Sequence, residues 1–223
     1  MLKRFAVIGL GYFGQNLARE LTRQGAEVIA IDNTMSKIEE MKDDVAYAVR
    51  LDSTDERTLR NQGLEDLDAV IVSIGEEFEN ALLTCVLLLE YGCKNVIVKS
   101  TSPIHSKIFR SVGVHHIVSP DLDMAERLAI TLINPDILES ISLASDYRII
   151  RMKAPKYMIG KSLRELELRR KYNVNLITIQ RRNSGANDAP DSIIGVPMPE
   201  TVIEQADVLI FMGDKRSTGR LIE

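Results

Sequence analysis

Phe5-Ala-Val-Ile-Gly-Leu-Gly-Tyr-Phe-Gly14 sets the architecture of the first half of the chain. Four consecutive apolar residues make a short strand, and Gly9-Leu-Gly-Tyr-Phe-Gly14 follows at once and opens a helix. The three glycines answer separate physical demands. Gly9 permits a tight turn, Gly11 lets backbone approach a pyrophosphate, and Gly14 lets helix and strand pack closely. The helix start then offers unpaired N–H groups and a partial positive charge to phosphate oxygens. Tyr12 and Phe13 complete this candidate loop.

Asp32 ends the next strand, 18 residues after Gly14. A carboxylate there accepts hydrogen bonds from adenosine ribose hydroxyls and repels a 2′-phosphate, which favours NAD or ATP-like ligands over NADP. The plainer alternative is a strand-end aspartate that caps the following helix. Asn33 and Thr34, beside it, join the candidate site.

Working outward, short apolar runs alternate with helical segments. Residues 5–9, 27–32, 46–51, 69–73, 95–99 and 115–118 are rich in Val, Ile and Ala on consecutive positions, as in strands covered on both faces. Helices are expected at about 15–24, 35–42, 55–62, 78–91, 103–112 and 121–133, with Thr34 and Thr54 as N-caps of the second and third. This alternation is that of an α/β fold with a doubly wound parallel sheet over residues 1–134. Past Asn134-Pro135 the rhythm changes. A short helix at 136–143, a strand at 148–153, a capping box at Ser162-Leu-Arg-Glu165 opening a helix to about Tyr172, a strand at 175–182, a loop region at 183–199 and a strand at 208–213 make a smaller α+β module over 135–223.

Other polar residues fall at the carboxyl ends of strands, where open α/β sheets bind ligands. They are Asp52-Ser53-Thr54, Ser73-Ile74-Gly75 and Lys99. Singly, each is a cap or a turn; together they share one edge.

Composition is that of an ordinary globular protein, with 45% hydrophobic and 27% charged residues over 223 and a net charge of −4. No global basic field and no helix-turn-helix pattern argue for a nucleic-acid partner. Phe5–Ile8 is too short for the apolar core of a signal peptide, and Ala81–Leu89 falls short of the ~20 residues a membrane helix needs. Cys85 and Cys93 form no ligand cluster and fit small core residues in a reducing cytosol. The uncharged stretch 81–89 predicts a helix buried all round, either at a subunit interface or within the monomer.

A nucleotide site also invites a small NAD-dependent oxidoreductase. Tyr157-Met-Ile-Gly-Lys161 has the Tyr-x-x-x-Lys spacing of short-chain dehydrogenases, but Pro155 precedes it, Gly160 interrupts it and a helix is capped only afterwards, at Ser162. The glycine spacing also differs from that family's. A protein that reads the nucleotide without reacting it fits better.

Beyond the glycine loop, Asp52-Ser-Thr-Asp55, Val70-Ile-Val-Ser-Ile-Gly75, Val98-Lys99 and Ser119-Pro-Asp-Leu-Asp-Met124 resemble the N-terminal domain of the regulatory subunits of Trk/Ktr potassium uptake systems, the RCK domains. Gly160-Lys-Ser-Leu163, Leu168-Arg-Arg-Lys-Tyr172 and Ala206-Asp-Val-Leu-Ile-Phe-Met-Gly213 resemble their C-terminal domain. The resemblance implies a cytoplasmic homo-oligomer peripheral to the membrane, dimers assembling into an octameric ring beneath a potassium-translocating subunit. ATP, ADP, NAD or NADH would change the ring's shape. It implies Gly9, Gly11 and Gly14 at the phosphates, Asp32 at the ribose, Asp52 and Ser53 on the adenine side, and Ile74, Gly75, Glu76, Lys99 and His105 along the rest. Tyr12 stands where many relatives have an arginine that meets terminal phosphates. Asp121 stands where relatives often have a glutamate that helps hold a divalent or monovalent cation, or else it is simply an acid in a helix's first turn. Leu163, Leu168, Arg169 and Tyr172 match a cyclic di-AMP pocket of some relatives, although Arg164 replaces an apolar residue there.

Overall fold

Two sheets built on different plans organise the chain in a computed structural model, which describes residues 2–144, 146–181 and 192–221. The chain divides into two compact units, Met1–Leu122 and Asp123–Glu223. The division falls ahead of residue 134, inside the helix Pro120–Ile133.

In the first unit the strands are β1 (Arg4–Ile8), β2 (Glu27–Asp32), β3 (Tyr47–Arg50), β4 (Ala69–Val72), β5 (Val96–Lys99) and β6 (His116–Val118). Between them run α1 (Tyr12–Arg23), α2 (Met35–Met41), α3 (Glu56–Arg60), α4 (Phe78–Glu90) and α5 (Pro103–Ser111), with α6 (Pro120–Ile133) after β6. All pairings are parallel and the spatial order is β3-β2-β1-β4-β5-β6. The consecutive apolar residues of the strands serve both faces. Ala6 and Ile8 pack with Val70, Leu88 and Phe109 on one side, while Val7 packs with Ala18, Val28 and Met41 on the other. The order reverses between β1 and β4, so the crevice where open α/β sheets take ligands opens at the ends of these two strands.

The second unit holds an antiparallel sheet of order β10-β9-β11-β8-β7. Its strands are β7 (Ile137–Ala144), β8 (Tyr147–Lys153), β9 (Asn175–Arg181), β10 (Ser192–Ile194) and β11 (Val208–Asp214), with short helices α7 (Leu163–Leu166), α8 (Leu168–Tyr172) and α9 (Lys215–Gly219). Ile150, Met152, Ile179, Leu209 and Phe211 point from three of these strands into one core.

Four expectations are corrected. Residues 136–143 form strand β7, not a helix: it pairs antiparallel with β8, and that pairing overrides the helix-favouring Leu and Glu. The helix expected from Ser162 to Tyr172 breaks at Glu167, a left-handed residue with φ 45°. Leu166 and Leu168 are both buried, and positions two apart on one straight helix face different ways; the break turns both inward. The capping box itself is present, Ser162 and Glu165 bonding each other's backbone. Helix α3 is capped by Asp55, which accepts from the Thr58 amide, and not by Thr54. Helix α4 is not buried all round within a single chain, since Leu83 is 45% exposed, which removes the monomer alternative. Residues 183–191 of the loop region expected at 183–199, and residue 182 of the strand expected at 175–182, lie outside the described residues. No helix among the described residues is long and apolar enough to cross a membrane.

The break at Glu167 carries a prediction. Side chains other than glycine's cost about 1 kcal/mol or more in the left-handed region, whereas the exposed ion pairs of Glu167 with Arg170 and Lys171 contribute little. Glu167→Gly should therefore stabilise the second unit by up to about 1 kcal/mol in urea unfolding; a loss of stability would show that the turn depends on the carboxylate.

Candidate functional site

The crevice is assembled from the end of β1 upward. Gly9 has φ +94°, and a Cβ on it would lie 2.8 Å from the Ile74 amide nitrogen. Its N–H donates to the Ile31 carbonyl at 2.8 Å, and the Ser73 N–H donates to the Ile8 carbonyl at 2.7 Å, so the loop is tied to the ends of both β2 and β4. A Cβ on Gly14 would stand 2.0 Å from the Gly9 carbonyl oxygen. Only hydrogen fits there, and α1 therefore starts directly against the turn that precedes it. A Cβ on Gly11 meets no atom within 4 Å, so nothing in the protein's own packing demands glycine at that position.

Helix α1 starts at N-cap Gly11, which has no side chain to cap it, and its first turn holds no acid. The N–H groups of Tyr12, Phe13 and Gly14 thus lack helical acceptors, in the geometry that binds anions. The Tyr12 side chain is 90% exposed.

Asp32 is buried, and its carboxylate is already engaged. Oδ2 accepts from the Leu10 amide at 2.7 Å and from Lys37 Nζ at 3.1 Å, while Oδ1 accepts from the Thr34 amide at 2.9 Å. Burial raises its pKa, but the Leu10 and Thr34 amides and Lys37 outweigh that and hold it below the ordinary aspartate value. A carboxylate offers about four acceptor positions, so one remains, on Oδ1. The Thr34 hydroxyl bonds the Asn33 side chain at 3.0 Å and does not cap α2, although Thr34 sits at the N-cap position.

The other expected residues distribute unevenly. Asp52 is exposed, held below the usual carboxylate range by the Thr54 hydroxyl and amide. The Ser53 hydroxyl points inward to Thr84 at 2.8 Å and is not presented to the crevice. Ile74 and Gly75 continue from β4 beside Gly9, and Glu76 is exposed. Lys99 Nζ lies 3.1 Å from Asp121 Oδ2 and 5.7 Å from the Phe13 ring centre. His105 stacks on Phe78 with ring centres 3.9 Å apart and faces the Thr101 hydroxyl at 3.3 Å. Among the described residues no group of three or more His, Cys, Asp or Glu could hold a metal ion, and Asp121 is paired with Lys99.

Two participants escaped the sequence. Lys37, five residues after Asp32, is the only side chain that ion-pairs with it among the described residues. Phe78 supports His105. The spacing of Lys37 from Asp32, one turn into α2, was the available signal for the first; the second depends on packing. Ser73, expected at this edge, places a buried hydroxyl without a hydrogen-bond partner among the described residues 3.1 Å from where a Cβ of Gly14 would be.

In the second unit Leu168 is in the core, Leu163 is half-buried, Arg169 is exposed, and Tyr172 stacks on Tyr157 with centres 6.1 Å apart. Arg164 pairs with Glu200. Tyr157 lies in a turn, its hydroxyl directed to the Leu221 carbonyl at 3.3 Å, and burial pushes its pKa well above the ordinary phenol value. A dehydrogenase tyrosine needs the opposite shift and a helix that brings Lys161 beside it.

Residues 5–120 match the family model described as the TrkA-N domain, and residues 147–223 match the TrkA-C domain. The chain is 36% identical over 220 residues to the Ktr system potassium uptake protein C of Bacillus subtilis (strain 168), covering 99% of this chain and 96% of that protein. The solved GsuK channel bound to NAD is similar in fold, with a TM-score of 0.64 at 15% identity over 99% of this chain. This chain spans only 39% of that longer one. The NAD(P)-binding domain of an exopolyphosphatase-related protein from Archaeoglobus fulgidus matches at 31% identity and a TM-score of 0.52, over 59% of this chain and 97% of that domain.

Two predictions follow from the geometry. Gly14→Ala should cost about 1–3 kcal/mol in chemical unfolding, whereas Gly11→Ala should cost less, up to about 1 kcal/mol, as alanine for glycine at an N-cap does; a Gly14 loss no larger than the Gly11 loss would contradict the packing described. The second concerns acid. The folded pKa of Asp32 lies below that of an unfolded aspartate, so its stabilisation is complete above about pH 4 and is lost as pH falls toward the folded value. The stability gap between the protein and Asp32→Asn should be constant from neutral pH down to about 4.5 and shrink below that; a gap unchanged into acid would contradict the assignment.

Proposed function

This chain belongs to the family of TrkA-N and TrkA-C proteins that includes the Ktr potassium uptake proteins, and from that premise we propose that it is a regulatory subunit of a potassium uptake system that senses adenine nucleotides. The observation that carries the proposal is the uncapped start of α1 at the point where strand order reverses, with Asp32 bonded to the Leu10 amide of the same loop. ATP, ADP, NAD or NADH would set its phosphates against the Tyr12–Gly14 amides, with its ribose toward Asp32. GsuK, similar in fold, is a channel whose solved structure is bound to NAD.

The ligand has only to be held. Tyr157 and Lys161 do not make a dehydrogenase pair, and no step needs a catalyst. Regulation is then a coupling free energy: a nucleotide biases the assembly only by its difference in affinity between two shapes. The assembly is a cytoplasmic homo-oligomer, dimers forming an octameric ring on a potassium-translocating membrane subunit, and the exposed Leu83 of α4 supports a contact between copies. A cation would bind only when Asp121 leaves Lys99 and meets ligands from a second copy. Cyclic di-AMP in the second unit would use Leu163, Leu168, Arg169 and Tyr172, with Arg164 as the departure from that pattern.

Calorimetry of the purified full chain with ATP, ADP, NAD and NADH, together with light scattering, tests this directly. The expected result is micromolar-range binding of at least one of them and a particle larger than a dimer. A monomer that binds none of them, or turnover of NADH abolished by Tyr157→Phe, would reject it.

A further inference from the structure

A bare carboxylate at the end of β2 would repel a 2′-phosphate, but Asp32 is not bare. Lys37 Nζ lies 3.1 Å from Oδ2, and two backbone amides take two further acceptor positions. Arg50 stands opposite Asp32 in the register of β2 and β3. Its side chain crosses back over the end of β2, Nε donating to the Asn33 carbonyl at 3.0 Å, and it is exposed. No other described residue hydrogen-bonds or ion-pairs with that guanidinium. Glu40 pairs with Arg19 and Glu39 with Lys42, while Asp52 keeps its charge and accepts from Thr54. The end of β2 therefore carries Asp32 with Lys37 upon it, and Arg50 across the register with free planar donors that suit a phosphate.

The acceptor count points the same way. A 2′-hydroxyl nucleotide brings two ribose hydroxyls, and Asp32 has about one acceptor position left for them. A 2′-phosphorylated nucleotide brings one hydroxyl, the 3′, and a phosphate. We propose that Lys37 and Arg50 form a receptor for a 2′-phosphate, so that this site takes the NADP class of adenine nucleotide at least as readily as the NAD class. The proposal rests on the nucleotide site described above and names the ligand chemistry of its ribose end.

The test is calorimetry of the full chain with NAD and NADP, and with AMP against adenosine 2′,5′-bisphosphate and its 3′,5′ isomer. NADP should bind as tightly as NAD or more tightly, and the 2′,5′ isomer better than the 3′,5′. Arg50→Gln should weaken NADP about tenfold while leaving NAD within about threefold, and Lys37→Gln should lower the NADP-to-NAD affinity ratio in the same direction. NADP weaker than NAD, or variants that leave the ratio unchanged, would overturn the proposal and leave the nucleotide site standing. Failure of every one of these ligands, and of ATP and ADP, to bind would overturn both.

Discussion

The contact between the start of α1 and the Gly9 carbonyl is the constraint on which the rest of the first unit depends. A side chain on Gly14 would have to occupy space 2.0 Å from that oxygen. Because none is there, α1 begins immediately after β1, and its free amides arrive at the sheet's carboxyl edge. Gly9, with φ +94°, makes the turn that allows it. The Leu10 amide then bonds Asp32, which fixes the tip of β2 to the same loop. One close approach thus sets the free amides of α1 and the Asp32 carboxylate in a fixed relation.

That arrangement is preorganised. Asp32 holds its charge through amide bonds and Lys37 despite its burial, so little has to be reordered when a ligand arrives. Lys99 is likewise occupied, by Asp121 and against Phe13. A phosphate reaching Lys99 competes with Asp121 for it. Exchanges of this kind, in which a ligand replaces an internal partner, are how a binding site can favour one shape of a protein over another without chemistry.

Much of this was legible in the residues. Alternating apolar runs and helical segments placed all six parallel strands, because strands covered on both faces need consecutive apolar residues and little else resembles them. The glycine loop and Asp32 were legible because each position has a steric or electrostatic demand that few residue types meet. Strand β7 was not, since Ile-Leu-Glu-Ser fits a helix until β8 lies alongside it. Nor was the break at Glu167, which local sequence disfavours and only the burial of Leu166 and Leu168 explains. The inward turn of the Ser53 hydroxyl depends on Thr84, a residue 31 positions away. Lys37 was visible as a residue one turn into α2, but its bond to Asp32 required the geometry of both elements.

The central claim is that the first-turn amides of α1 receive the phosphates of an adenine nucleotide. Amide NMR of the isotope-labelled full chain, titrated with ADP, measures it most directly. The account predicts the largest shifts at Tyr12, Phe13 and Gly14, with slowed exchange of those N–H groups. Binding that leaves these three amides unmoved and perturbs residues elsewhere would contradict it.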